Sequence, residues 1–88
     1  MLKAVLTINN QLGMHTRASS ALVACASKFI SGIELHWDGR VADAKRILNV
    51  LTSGLVYGDQ VTICIQGEDE IEAMASIRAL FESGFGDN

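Results

Sequence analysis

Hydrophobic and polar residues alternate along four short stretches of the chain, a pattern typical of half-buried β-strands. The second and third stretches flank Asp38-Gly39, a dipeptide that favours a tight hairpin turn. The pattern therefore predicts four strands, two of them joined as a hairpin. The four stretches are residues 2–8, 33–37, 40–43 and 61–66.

Three other stretches have apolar residues at the three- and four-residue spacing of amphipathic helices. The first helix should run from about Thr16 to Lys28 or Phe29, and the second from Lys45 or Arg46 to Thr52. The third follows Asp69, which we expect to form a capping box with Glu72. We predict buried faces made of Ala18, Ala21, Leu22, Cys25 and Phe29 in the first helix, and Ile71, Met74, Ile77, Leu80 and Phe81 in the third.

The sequence also predicts how the third helix ends and which side of the second helix is exposed. Gly84 stands where a helix commonly ends, and Phe85 should pack back onto the last turn. The second helix is apolar on more than one side: Ile47, Val50 and Leu51 can turn inward, which leaves Leu48, with one edge of Ile47 and Leu51, on the surface. Two interpretations remain open for it, a core helix or an exposed docking patch.

The order strand, helix, strand, strand, helix, strand, helix predicts an α+β fold. We expect a single domain over residues 1–88, with three helices on one face of a four-stranded antiparallel sheet. The other face of the sheet should be solvated.

The net charge and the lengths of the apolar runs argue against two classes of function, nucleic-acid binding and membrane insertion. A net charge of −3 with seven basic residues argues against nucleic acid as a principal partner. No apolar run approaches the roughly 20 residues of a membrane span, and the opening stretch is too short and too alternating for a signal peptide, so we expect a cytoplasmic protein with no membrane insertion.

The cysteines and the second histidine carry no signal for a metal or cofactor. Cys25 and Cys64 lack the short spacing of a disulfide framework or zinc site, and we expect reduced, packed thiols. His36 falls on the polar side of its strand with no second ligand-type residue spaced to join it, so it is interpreted as a solvated side chain. We therefore predict no metal and no cofactor.

The candidate chemistry lies where a loop passes into the first helix, at Gly13-Met14-His15-Thr16-Arg17. His15 should stand at or beside the N-cap, where outward-pointing N–H groups and the helix dipole attract anions. The backbone of Thr16 and Arg17 would hold a phosphate, and the Arg17 guanidinium would clamp it with two hydrogen bonds. The positive helix end favours a neutral imidazole, whose lone pair is a nucleophile.

With these residues the whole chain resembles the histidine-containing phosphocarrier (HPr) family of the phosphotransferase system, whose site has the pattern Gly-x-His-x-Arg. The resemblance implies an open-faced β-sandwich with strand order one, four, two, three. It also implies that His15 is phosphorylated on Nδ1 by enzyme I and passes the group to an enzyme IIA domain. Such a protein is a phosphoryl carrier, not a self-sufficient enzyme, and nothing in the sequence requires more than a monomer.

Three features bear on the branch of the family. The ending Ala79 to Phe85 resembles the nitrogen-related branch, in place of sugar uptake. Ala18 stands where the family usually has proline, which adds one N–H to the first turn. Arg46 stands where one regulatory branch carries a serine that a kinase phosphorylates, so that switch is absent at this position.

The resemblance also implies that partners dock on apolar residues around the site and the second helix. We rank Met14, Ile47 and Leu48 first. The full candidate set is Leu12, Met14, Thr16, Ser20, Ile47, Leu48 and Leu51.

Two alternatives belong to other functional classes. An HPr-like regulatory module would dock on target proteins without relaying phosphoryl groups, and Ala18 motivates it. A small metal-transfer domain of similar element order is disfavoured, because the loop before the first helix has no pair of cysteines.

Overall fold

The computed structural model describes residues 1–86 and contains every predicted strand and helix in the predicted order. Asp87 and Asn88, which the predicted domain includes, lie outside the described residues. A short 3₁₀ turn follows the last helix. The elements are β1 (Leu2–Thr7), α1 (Thr16–Ala26), β2 (Gly32–Trp37), β3 (Arg40–Asp43), α2 (Ile47–Leu51), β4 (Gln60–Gln66), α3 (Glu70–Glu82) and the turn Gly84–Gly86.

The four strands form one antiparallel sheet in the order β1-β4-β2-β3, as the family resemblance implied. Strand β4 is one of the two central strands, and its Ile65 is opposite Leu2 on one side and Ile33 on the other. The predicted hairpin joins β2 to β3. Both turn residues, Asp38 (φ 47°) and Gly39 (φ 74°), have the left-handed backbone that tight hairpin turns require.

The core lies between one face of this sheet and the helices, which confirms the predicted α+β open-faced sandwich. The inward side chains Leu35 and Ile63 are completely buried, and Leu22 from α1 and Ile77 from α3 cover them without any exposed surface of their own. Burying one such side chain stabilises the fold by about 1.5–3 kcal/mol. The opposite face of the sheet carries Lys3, Val5, Glu34, His36 and Val41, which are exposed or half-buried.

Helix α1 ends at Ala26, before the predicted Lys28 or Phe29, and the Ser27 amide donates to the Val23 carbonyl as its cap. The buried face is also rotated from the prediction. Ala18, Leu22 and Ala26 form a completely buried row at four-residue spacing, Ser19 is buried beside them, and Ala21, Cys25 and Phe29 are only half-buried. Because α1 packs against both α2 and α3, the contacts with these helices set which row faces inward.

Helix α3 departs from its predicted buried face at two positions, Ile71 and the half-buried Leu80. Ile71 is 71% exposed and Ala73 is buried in its place. At 3.6 residues per turn, Ile71 lies about 120° around the helix from the buried Ile77, outside the inward face. The C-terminal prediction is confirmed: Gly84 follows the cap residue Ser83, and the Phe85 ring packs 4.7 Å from that of Phe81.

The predicted capping box of Asp69 and Glu72 is wrong. Asp69 is the N-cap by position, but its carboxylate makes no capping bond and instead accepts hydrogen bonds from the Ile30 amide (3.0 Å), the Ser31 amide (3.0 Å) and the Ser31 hydroxyl (2.5 Å). The reciprocal bonds at the helix start join Gly67 and Glu70: the Gly67 amide donates to Glu70 Oε1 (3.1 Å), and the Glu70 amide donates to the Gly67 carbonyl (3.3 Å).

The Asp69 carboxylate should make stability depend on pH at the acid end. The hydrogen bonds from Ser31 and Ile30 hold the pKa of Asp69 below its ordinary value of 3.8. The ionised form is therefore the one that folding favours. This stabilisation is fully present above the ordinary pKa and is lost as the pH falls through the lowered value in the folded protein. We expect Asp69→Asn to have a lower melting temperature than the wild type at pH 7. Near pH 2 the two melting temperatures should become nearly equal. Thermal unfolding at several pH values tests this, and a constant difference between the two proteins from pH 7 to pH 2 would contradict it.

Candidate functional site

His15 is the N-cap residue of α1, as predicted. Its backbone is extended (φ −80°, ψ −176°), and its carbonyl accepts the first hydrogen bond of the helix, from the Ser19 amide at 2.8 Å. The ring lies over the open end of the helix, where Nδ1 accepts a hydrogen bond from the Arg17 amide at 3.3 Å. The side chain is half-buried, so it is supported by its neighbours and remains accessible.

This hydrogen bond determines the tautomer of the neutral ring. A backbone N–H can only donate, so Nδ1 must be the acceptor, and the proton of the neutral imidazole is on Nε2. The Nδ1 lone pair thus points towards the electropositive start of the helix. An electrophile that reached Nδ1 would meet both a nucleophile and an amide that stabilises negative charge on the incoming group.

Arg17 is exposed and begins within the same helical turn. The predicted backbone donors, the amides of Thr16 and Arg17, belong to the first turn of α1, where N–H groups have no carbonyl four residues earlier within the helix. The structure therefore places the imidazole, these amides and a residue with a cationic side chain at three consecutive positions.

Two buried polar residues that the sequence analysis missed hold the loop before His15. The Asn10 side chain donates to the Gly13 carbonyl at 2.7 Å, and the Ser19 hydroxyl donates to the Met14 carbonyl at 3.2 Å. Both residues are completely buried. Ser19 lies three residues before Leu22, so the helical spacing could have placed it on the buried face; Asn10 was interpreted only as part of a turn.

The site loop also contacts a distant segment, backbone against backbone. The Met14 amide donates to the Leu55 carbonyl at 3.0 Å. Gly13 has the left-handed φ of +66°, and a Cβ added there would lie 2.7 Å from the Leu55 carbonyl oxygen and 2.9 Å from Val56 Cα. No pattern in the sequence indicates that residues 55 and 56 approach this loop.

Most of the predicted docking residues are accessible. Leu12 is 73% exposed and Leu48 is 68% exposed, while Thr16 and Ser20 lie on the exposed surface. Helix α2 packs against α1, the helix whose N-cap is His15. Of the residues expected to turn inward, Val50 is completely buried, Leu51 is half-buried and Ile47 is on the surface.

Met14, one of the three first-ranked docking residues, is the exception, because its side chain is not accessible. Its side chain is 5% exposed and belongs to the hydrophobic core. The hydrogen bond from its amide to Leu55 pulls the residue inward, so it supports the site from below. Val56, next to Gly13 and 56% exposed, is an apolar surface residue that the sequence analysis missed.

The remaining candidate chemistry is remote from His15. His36 Nε2 lies 2.9 Å from Glu34 Oε1 on the open sheet face. Both cysteines are free thiols, and burial raises the pKa of Cys25 above its ordinary value although Lys28 opposes the shift. Within residues 1–86, no three His, Cys, Asp or Glu side chains converge as metal ligands, and no helix combines the length and apolar character needed to cross a membrane.

The close approach at Gly13 gives a direct test of how the loop is held. We expect Gly13→Ala to lower the free energy of unfolding by about 3 kcal/mol, because it adds a steric clash to the cost of a left-handed alanine. Gly39→Ala is the matched control: its φ is +74° and no atom lies within 4 Å of the added Cβ, so it should cost only about 1 kcal/mol. Urea unfolding measures both, and equal losses would show that the contact with Leu55 is not tight.

Comparison with known proteins agrees with this geometry. The family model described as "PTS HPr component phosphorylation site" matches residues 2–83. A phosphocarrier protein HPr from Xylella fastidiosa is 40% identical over 88 residues, which cover 100% of this chain and 99% of that protein. The crystal structure of HPr-C-His from Thermoanaerobacter tengcongensis matches with a TM-score of 0.95 and 34% identity, covering 100% of this chain and 99% of that one.

An HPr dimer from the same organism matches with a TM-score of 0.78 and 35% identity, covering 98% of this chain and 99% of that one. The sequence match extends over nearly the whole chain, and the solved structures share its fold. On this evidence the chain belongs to the HPr family, the phosphocarrier proteins of the phosphotransferase system.

Proposed function

We propose that His15 accepts a phosphoryl group on Nδ1 from phosphorylated enzyme I and passes it to an enzyme IIA domain. The observation that carries this proposal is the hydrogen bond from the Arg17 amide to Nδ1, which presents the lone pair of a neutral ring at the start of a helix. The Arg17 amide releases Nδ1 and turns to a phosphoryl oxygen, the freed lone pair attacks phosphorus, a P–N bond forms, and the bond to the donor breaks with its electron pair leaving on the donor. The proton on Nε2 need not move for the attack.

The surrounding groups stabilise the transferred phosphoryl group without fixing it permanently. The Arg17 amide and the neighbouring Thr16 amide would donate to phosphoryl oxygens, and the exposed Arg17 guanidinium adds a cation. Each dipole contribution at an accessible site is about 0.3–1 kcal/mol, which suits a group that must be released again. The protein is thus a carrier that depends on enzymes before and after it.

The docking surface for both partners consists of exposed and half-buried residues around His15 and on α2. We assign it Leu12, Thr16, Ser20, Ile47, Leu48 and Leu51, with Val56 added at its edge. Donor and acceptor would use this surface in turn, because both must bring phosphorus to the same Nδ1 atom. We further propose that the carrier acts in the cytoplasm as a monomer; a dimer mass in sedimentation at micromolar concentration would contradict the monomer.

The second candidate, a regulatory module without phosphoryl transfer, rests on Ala18. This residue is completely buried in the core, and the helix begins at Thr16 with His15 as its N-cap in the absence of a proline. Ala18 therefore leaves the acceptor geometry in place, which favours the carrier over the module.

Labelling with phosphoenolpyruvate and enzyme I tests the carrier directly. We expect the wild type to gain one acid-labile phosphoryl group and His15→Ala to gain none, because the acceptor atom is removed. Discharge of the labelled protein by a panel of sugar-type and nitrogen-type enzyme IIA domains then identifies the acceptor branch. Label that persists in His15→Ala, or a wild type that takes no label, would refute the proposal that His15 carries the phosphoryl group and would favour the regulatory module.

Removal of the cation should affect transfer more than folding. We expect Arg17→Ala to slow phosphorylation by enzyme I about 10- to 100-fold, since a charged donor to the transferred group is lost, with a change in unfolding free energy within about 0.5 kcal/mol. Arg78→Ala, an exposed arginine on α3, is the control and should react at the wild-type rate. Stopped-flow kinetics and urea unfolding provide the two measurements; a rate loss matched by a loss of fold would argue against the clamp.

A charge on the docking surface should weaken partner binding. We expect Leu48→Asp to raise the Kd for enzyme I at least about tenfold, because a buried, unpaired carboxylate opposes an apolar contact. Ile71→Asp is the matched control: it is 71% exposed on α3 and lies outside the docking surface. Titration calorimetry compares the variants. If Leu48→Asp does not fold, Leu48 contributes to the core and the prediction fails. If Ile71→Asp weakens enzyme I binding equally, the effect is not specific to the docking surface.

A further inference from the structure

We propose that Asn10 and Ser19 are positioning residues that determine which nitrogen of His15 takes the phosphoryl group. This inference rests on the proposed function, in which His15 is the acceptor. The two side chains hold the two consecutive carbonyls that precede His15, those of Gly13 and Met14.

Both side chains are polar groups placed in the core at a cost. Burying an amide or a hydroxyl is unfavourable unless it is hydrogen-bonded, and both residues have no exposed surface. Their hydrogen bonds, 2.7 Å from Asn10 Nδ2 and 3.2 Å from the Ser19 hydroxyl, are directed at the backbone of the site loop. Asn10 and Gly13 are further joined by a hydrogen bond from the Gly13 amide to the Asn10 carbonyl at 3.1 Å.

These bonds control the orientation of the peptide that carries His15. The Gly13 carbonyl accepts from both the Asn10 side chain and the His15 amide, the latter at 2.9 Å. The Met14 carbonyl belongs to the peptide plane whose nitrogen is that of His15, so its rotation moves the His15 Cα and the ring. Ser19 fixes that plane from within the helix that His15 caps.

The hydrogen bond from the Arg17 amide to His15 Nδ1, which these residues support, tolerates little movement of the backbone. The Nδ1 to Arg17 amide distance of 3.3 Å is already near the long end for an N–H hydrogen bond, so a small rotation of the peptide would break it. Loss of that bond removes the preference that it gives to a proton on Nε2. The ring would then sample the other tautomer, whose lone pair is on Nε2, away from the helix end.

The test compares Asn10→Ala and Ser19→Ala with Ser31→Ala. Ser31 is also a buried serine, 1% exposed, and its hydroxyl bonds Asp69, a residue outside the site. Imidazole ¹⁵N NMR measures the tautomer, and ³¹P NMR during reaction with phosphoramidate measures the rate and the nitrogen that is phosphorylated. Phosphoramidate is a small chemical donor, so partner docking does not enter.

We expect Asn10→Ala and Ser19→Ala to raise the fraction of the Nδ1–H tautomer, to slow phosphorylation at Nδ1 about tenfold, and to increase the share of Nε2 product. Ser31→Ala should lose stability and keep the wild-type tautomer and product. Ser19→Thr, which retains the hydroxyl, should restore the Nδ1 product. If Asn10→Ala does not fold, Ser19→Ala with its threonine rescue decides alone.

Wild-type tautomer and product in Ser19→Ala would overturn the inference, as would the same change in Ser31→Ala. A failure of the proposed function is distinct: the wild type would not be labelled by enzyme I, while the tautomer shift, measured without any phosphoryl donor, would still follow the loss of Asn10 or Ser19.

Discussion

Two loops meet backbone to backbone where Gly13 lies against Leu55 and Val56, and the position of the first helix follows from that contact. The space there admits no side chain, and the Met14 amide is bonded to the Leu55 carbonyl. Met14 is thereby drawn into the core, so the next residue, His15, stands at the surface as the N-cap of α1. A backbone contact between segments about 40 positions apart thus sets the place of the imidazole.

The site combines a rigid backbone with accessible side chains. Hydrogen bonds from Asn10 and Ser19 fix the carbonyls of the loop, whereas the His15 ring is half-buried and Arg17 is exposed. Preorganised amides cost no reorganisation when charge arrives, and exposure limits how tightly the charge is held. A phosphocarrier needs both properties, because the group that it accepts must also leave.

A second polar cluster holds the other end of α1. Asp69 bonds the Ile30 and Ser31 amides in the connection between α1 and β2, and so ties the start of α3 to the region just after α1 ends. Hydrogen bonds therefore hold the segments before and after helix α1, and Leu22 and its neighbours hold the helix in the core.

The amino-acid sequence by itself determined the order of the elements, the hairpin at Asp38-Gly39 and the placement of His15 at a helix start. These depend on local properties, namely the period of the apolar residues and the backbone preferences of turn residues, and short-range physics is enough to fix them. The family resemblance added the strand order, which the sheet reproduces.

Only the tertiary structure decided how each element is rotated and what its polar groups bind. Periodicity shows which residues share a helical face, but contacts with neighbouring elements choose the face that turns inward, and they exposed Ile71 and buried Ser19. Asp69 likewise binds Ser31 and does not cap its own helix, and Met14 lies in the core and not on the surface. In both cases a partner distant in the chain competes successfully with local bonds. Such long-range competition has no signature in a single sequence.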